Sequence, residues 1–247
     1  MFISRNLSIS YATVSEAGDK GHNEDSILAL EQDGRYCFVV ADGLGGSGLG
    51  YVASKKLRDV FELEFAEATD NRSFLAKAVE RAQQEIRAEQ LAIRAPNQMK
   101  TTVVALSIIR GRCAWAHVGD SRLYRFRRGG FVSRTLDHSV PQMLARAGEI
   151  TDSEIASHPD RARLLCAVGD NWDRPRYEVS KNIALRRDTA FLLCSDGFWE
   201  LLPTAMLAPQ PGSDADAWLS AMMHEFGNAG GDDCDKDDYS AIAVVVK

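Results

Sequence analysis

Long apolar runs are missing from this sequence of 247 residues. The longest, such as 36–41 and 241–246, are strand-sized, far short of the roughly 20 residues that cross a bilayer, so no membrane span is expected. The N-terminal stretch MFISRNLSISYATVSEAG has no continuous apolar segment leading to a small-residue cleavage site, and a cytoplasmic rather than secreted protein is expected. The five cysteines (Cys37, Cys113, Cys166, Cys194, Cys234) form no CxxC pair; Cys37 and Cys194 sit in apolar runs, which points to reduced core thiols. Basic charge is also in deficit. With 29 Lys+Arg against 35 Asp+Glu, the net charge of -6 removes the footprint expected for gripping nucleic acid or anionic lipid. One basic cluster, Arg122, Arg125, Arg127 and Arg128, is spaced around Leu123, Tyr124 and Phe126 and is expected to form a solvated strand face and turn. Neither repeats nor a Pro/Ser-rich linker divide the chain, so 1–247 is read as one domain, and a monomer is expected.

What is present is a set of short β-branched and aromatic runs bounded by Gly, Asp or polar turns. LSISYATV, RYCFVVAD, TTVVALSII, CAWAHVGD, RLYRFR, TAFLLCSD and SAIAVVV predict seven strands, with SILALEQ as an eighth. Helical periodicity over 54–68, 74–93 and 216–226 predicts three amphipathic helices. Two strand runs separated by a helical pair, with few βαβ alternations, predict an α+β fold: antiparallel sheets whose outer faces are covered by helices. The segment 140–188 differs in character. It carries short helical patterns at 141–147 and 153–157 and a charged run, HPDRARLLCAVGDNWDRPR, which fits either a flap over a site or a surface excursion.

Four aspartates stand at junctions between an apolar strand and a turn: Asp42 after FVVA, Asp120 after WAHVG, Asp196 after FLLCS, and Asp237 shortly before SAIAVVV. Asn23-Glu24-Asp25 adds two more carboxylates before SILAL. Carboxylates gathered at one end of a sandwich repel unless cations neutralise them, because like charges at short range raise each other's pKa. Oxygen-only ligation suits Mg²⁺ or Mn²⁺, whereas zinc sites usually carry His or Cys. Any one Asp-Gly pair is simply a common turn; the set is what points to a metal cluster. In the run GGDDCDKDD, Asp232, Asp233 and Asp235 are expected to be solvated loop charges.

The blocks GDKGHNEDS, VVADGLGG with Gly50, Ala53 and Ser54 after it, MKTTVVAL, AHVGDSRLYRF, LDHS, LLCSDGFWELL and KDDYSAIAVVV occur in this order. Together they resemble the metal-dependent (2C-type, PPM) protein phosphatases, in the short form of bacterial members. The resemblance implies a central β-sandwich of two antiparallel sheets flanked by helices, a four-layer α-β-β-α arrangement with the metals at one edge. It implies that Asp42 bridges two Mn²⁺ or Mg²⁺ ions, that the Gly43 carbonyl binds the first, and that Glu24, Asp196 and Asp237 bind the second. Asp25 would order water behind them, and Asp120 with Asp196 would hold a third, weaker ion. The implied reaction is hydrolysis of phosphoserine or phosphothreonine in proteins by a cation-activated water.

Several positions depart from the family pattern. Lys20 stands where an Arg usually grips the substrate phosphate, Leu44 where a His often follows Asp-Gly, Lys100 where Gly precedes Thr101-Thr102, and Asp238 where Asn follows the last ligand. Of the histidines, His117 and His138 are expected to be structural, and His22, two residues before Glu24, is the one whose position in the chain allows a place near the metals, although a structural role is expected for it too. The stretch LDHSVPQMLARAGEITDSEIASHPDRARLL also resembles phosphatases that oppose a Ser/Thr kinase in bacterial type VI secretion, which implies a cognate kinase and a forkhead-associated-domain protein as partners. A catalytically inactive phosphoprotein-binding relative is the alternative reading.

Overall fold

The computed structural model describes residues 7–19, 21–45, 48–96, 98–229 and 237–247. In chain order the elements are β1 (Ile9–Glu16), β2 (Ser26–Gln32), β3 (Arg35–Ala41), β4 (Gly43–Leu44), α1 (Leu49–Phe65), α2 (Asn71–Ala92), β5 (Lys100–Thr101), β6 (Val103–Ile109), β7 (Arg112–Val118), β8 (Arg122–Arg127), β9 (Gly130–Arg134) and α3 (Val140–Ala147). They continue with β10 (Glu178–Val179), β11 (Ile183–Ala184), β12 (Thr189–Cys194), α4 (Asp196–Trp199), α5 (Ala215–Ala229) and β13 (Tyr239–Val246). One antiparallel sheet has the order β1-β13-β12-β8-β9; the other runs β10-β7-β6-β3-β2, with β11 also on β7. The fold is α+β, as the strand and helix pattern predicts.

Three apolar layers explain why the central strands read as continuous hydrophobic runs. A strand buried on both faces needs apolar residues at every position, and successive side chains go to opposite faces. In β3, Phe38 and Val40 enter the layer between the sheets, while Cys37, Val39 and Ala41 face α1 and α2. In β13, Ile242, Val244 and Val246 face the other sheet, while Ala241, Ala243 and Val245 lie in the layer that holds Trp218, Met222 and Phe226 of α5. The sheets are thus sandwiched between helical layers. Cys37, Cys113, Cys166 and Cys194 are all free and buried.

Several boundaries differ from expectation. Helix α1 begins at Leu49 rather than 54; the left-handed Gly48 (φ 75°) precedes it without a side-chain cap, so no capping residue marks its start. Helix α2 begins at Asn71 because Asp70 accepts the Ser73 N–H at 2.9 Å. β9, an edge strand with exposed Phe131 and Val132, and the two-residue strands β4, β5, β10 and β11 carry too little pattern to predict. Arg122 corrects the solvated-face expectation: β8 lies inside its sheet, and Arg122 is buried. No helix among the described residues is long and apolar enough to cross a membrane.

Candidate metal centre

The acidic residues converge because the strands that carry them end at the same edge of the sandwich. Asp42 directly follows β3, Asp120 lies just beyond β7, Asp196 opens α4 just after β12, and Asp237 lies just before β13, so both sheets contribute. One carboxylate oxygen each from Asp42, Asp120 and Asp196 lies within 4.8 Å of the others. Glu24, Gly43, Asp237 and Asp238 line the same cleft, of about 440 Å³, with His22 and Leu44 on its wall. Asp25 is buried, and Asp237 is exposed. Lys20, Asp232, Asp233, Asp235 and Cys234 lie outside the described residues.

Backbone bonds hold Asp42 in place. Its carbonyl accepts the Thr102 N–H at 2.8 Å and the Thr101 hydroxyl at 2.8 Å, and its own N–H donates to Thr102 Oγ1 at 3.1 Å. Next to it the chain packs so closely that side chains are barred. A Cβ on Gly43 would lie 2.5 Å from the Gly50 carbonyl oxygen and 2.6 Å from that of Glu24. The Ser54 hydroxyl donates to the Glu24 carbonyl at 2.6 Å, so α1 pins the loop carrying Glu24. Asp238 completes the attachment by accepting the N–H groups of Gly18 at 2.9 Å and Glu24 at 2.7 Å.

Behind Asp120 stands a buried polar group. The Trp199 indole donates to the Asp120 carbonyl at 3.0 Å, and the Arg122 guanidinium sits 3.3 Å from the centre of the Trp199 ring. Arg122 forks onto Asp137 at 2.9 and 2.6 Å and donates to the Tyr124 hydroxyl at 3.0 Å. Removing one partner of such a buried pair typically costs about 3–5 kcal/mol, because the other is left uncompensated. His117 contacts the Leu136 carbonyl at 2.9 Å, and His138 Nδ1 accepts the Gly119 N–H at 3.3 Å. Burial pushes both imidazoles down toward the neutral form. Both bond backbone, which is what the sequence reading expects of His138. His22 lies at the cleft rim, its ring edge-on to Tyr51 at 5.1 Å.

Without a cation the cleft is electrostatically costly. Burial, then the neighbouring carboxylates, push Asp42 and Asp120 well above the usual carboxylate range. Asp196 is also raised, by burial first and with the charge of Asp237 adding to it, against a bond from Asp42 that lowers it. Burial raises Asp25 to about 7, although the Ser195 hydroxyl donates to its Oδ2 at 2.8 Å. Its Oδ1 is buried with no hydrogen-bond partner among the described residues. An orphaned carboxylate oxygen, mutually repelling acids and an all-oxygen donor set fit a hard divalent cation, Mg²⁺ or Mn²⁺. Composition and motif alone do not reveal the bonds made by Ser195 and Asp238, since each joins residues more than 160 positions apart.

The fold is an α-β-β-α sandwich, and the donor set at its edge suits a divalent cation. The sequence model described as protein phosphatase 2C matches residues 14–235, and the chain belongs to that family. It is 31% identical over 192 residues to the serine/threonine phosphatase stp of Listeria innocua, an alignment covering 74% of this chain and 75% of that protein. The crystal structure of the Mycobacterium tuberculosis serine/threonine phosphatase PstP/Ppp superposes with a TM-score of 0.81 at 25% identity, covering 96% of this chain and 98% of that one. PppA, described as a key regulatory component of T6SS in Pseudomonas aeruginosa, superposes with a TM-score of 0.78 at 25% identity, covering 98% of this chain and all of that one.

Proposed function

We propose that the chain is a phosphoprotein phosphatase that hydrolyses phosphoserine or phosphothreonine at a centre holding two Mn²⁺ or Mg²⁺ ions. The observation that supports this most is the approach of the Asp42, Asp120 and Asp196 oxygens to within 4.8 Å of one another at the floor of an open cleft. In the proposed assignment Asp42, the Gly43 carbonyl, Glu24, Asp196 and Asp237 would hold the two ions, with Asp42 contributing to both. Asp120 with Asp196 would hold a third, and Asp25 would order solvent behind them. Such a pair of cations, when bound, supplies an acidified water and neutralises charge on the transferring phosphoryl group.

The remaining work falls to the chain. Ser54, Asp238 and Thr101-Thr102 fix the loops that aim the carboxylates. Lys20 contributes a point charge toward the substrate phosphate, in place of an arginine fork. Leu44 on the cleft wall cannot donate a proton, so the leaving alkoxide takes its proton from another source. We read the segment 140–188 as a flap over the cleft, which its Ala162 and Leu164 help to line.

The setting we infer is reversal of a bacterial Ser/Thr kinase in the cytoplasm, with a forkhead-associated-domain protein among the substrates and the chain acting as a monomer. The likeness to PppA and the stretch from LDHS to ARLL support a type VI secretion context. A catalytically inactive phosphoprotein-binding relative is less well supported, because a binder has no chemical need for this carboxylate set. Manganese-dependent phosphate release from phosphothreonine peptides, faster than from nucleotides and lost in Asp42→Ala, is the expected result. Equal release by the variant would overturn the proposal.

A further inference from the structure

Beside the carboxylate cleft lies a second one of about 620 Å³, lined by Met143 and Arg146 of α3, by Leu165, and by Arg174 and Arg176. The two clefts share a wall. Leu165 N–H donates to the His138 carbonyl at 2.8 Å and Val140 N–H to that of Arg163 at 2.9 Å, so 163–165 runs extended beside 138–140. Consecutive side chains of an extended segment point to opposite faces. Accordingly Leu164 lines the carboxylate cleft and Leu165 the second one.

The second cleft is positively charged in a chain whose net charge is -6. None of Arg146, Arg174 and Arg176 has a carboxylate within ion-pair distance among the described residues. Of the two acids on its walls, Asp137 is committed to Arg122 and Arg134, and Glu178 stands 3.6 Å from His138 on the same wall, which leaves the three arginines in excess over the one remaining carboxylate. Two large apolar side chains stand open among these cations, Met143 at 52% and Leu165 at 43% exposure. Guanidinium groups not committed to internal partners are suited to forked bonds with carboxylates. The apolar pair gives a peptide's aliphatic side chains a surface to cover.

We propose that this cleft binds an acidic segment of the phosphoprotein substrate, on the same chain as the phosphorylated residue, and so selects substrates by the acidity of the flanking sequence. The proposal rests on the phosphatase reading of the neighbouring cleft. Only the extended segment 163–165 with its partner 138–140 separates the two clefts, so a substrate strand that crosses it, at ~3.3 Å per residue, engages both.

The test uses the full chain with Mn²⁺ and a variant carrying Arg146→Ala, Arg174→Ala and Arg176→Ala. The three arginines have no ion-pair partner to lose, so the variant is expected to fold, which its melting curve checks. Binding of a fluorescent glutamate-rich peptide without phosphate is read by anisotropy, independently of catalysis. It is expected to weaken roughly tenfold or more in the variant and to fall with added salt in the wild type. kcat/KM for a phosphothreonine peptide with acidic residues on either side is expected to drop by a similar factor in the variant. Turnover of a neutral-flanked peptide and of p-nitrophenyl phosphate should hold.

Equal binding of the glutamate-rich peptide by wild type and variant, or equal kcat/KM of the wild type for acidic and neutral peptides, overturns the proposal. If no phosphopeptide is hydrolysed while the glutamate-rich peptide still binds through the arginines, the phosphatase reading is what fails. Arg→Glu replacements at the same three positions reverse the preference toward lysine-flanked peptides if charge is the selector.

Discussion

Both oxygens of the Asp238 carboxylate are occupied by backbone: one accepts the Glu24 N–H at 2.7 Å, the other the Gly18 N–H at 2.9 Å. The residue stands where an asparagine is usual in the family, and the side chain fastens the loop carrying Glu24 rather than merely adding charge to the cleft. Asp238→Asn turns one acceptor into a donor that faces an N–H. We expect a loss of about 1–3 kcal/mol in urea unfolding together with weaker Mn²⁺ binding. An unchanged unfolding midpoint would show that these bonds carry no weight.

The metal-free protein should gain stability as the pH falls. Asp25 and Glu200 are each raised to about 7, mainly by burial, and Asp42, Asp120 and Asp196 are raised as well. A carboxyl whose folded-state pKa lies above its unfolded value binds more protons when folded. Its contribution is full below pH ~4 and is lost as pH rises through the folded value. With a chelator present, the melting temperature should therefore drop between pH 5 and pH 8. Saturating Mn²⁺ should flatten the slope, and Asp42→Asn should raise the chelated melting temperature while abolishing turnover. A chelated protein that melts higher at pH 8 than at pH 5 would contradict this account.

Gly43 leaves no room for a methyl group, because the atoms it would meet belong to the backbone of Gly50 and Glu24 and cannot swing aside. Gly43→Ala should cost about 1–3 kcal/mol of stability. It should also remove most activity, since the backbone that must move carries both the Gly43 carbonyl and the Glu24 loop. Thermal melting and phosphate release, measured in parallel, separate the two effects.

Lys20→Arg should improve phosphate holding. A fork makes two parallel bonds where an ammonium makes a less directional one, and a KM several-fold lower for a phosphopeptide, up to about tenfold, is expected. An unchanged KM would mean that Lys20 does not meet the phosphate.

Much of the site could be read from strand ends. Asp42, Asp120 and Asp196 were recognisable because each follows an apolar run whose length fixes where the strand stops, and the structure brings all three together. Arg122 was misread because alternation with apolar neighbours looks the same on a solvated face as on one covered by Trp199 and Asp137. The hold of Ser195 on Asp25 and of Asp238 on Glu24 had no local signal, since the partners meet only after both sheets have formed. The paired strands β10 and β11 were hidden for a different reason: two residues are too few to show a period.

Strand β13 pairs with β1 on one side and β12 on the other, in registers that run from Ile9↔Val246 to Glu16↔Tyr239 and from Thr189↔Val246 to Cys194↔Ala241. The first strand of the sheet must therefore wait for the last to leave the ribosome before it finds its neighbour. Until then Asp237 is not in place, and a growing chain displays only part of the acidic set. With the ligand role proposed for Asp237, a growing chain would complete the set only once β13 has docked, and a nick that frees this strand would dismantle sheet and acidic set together.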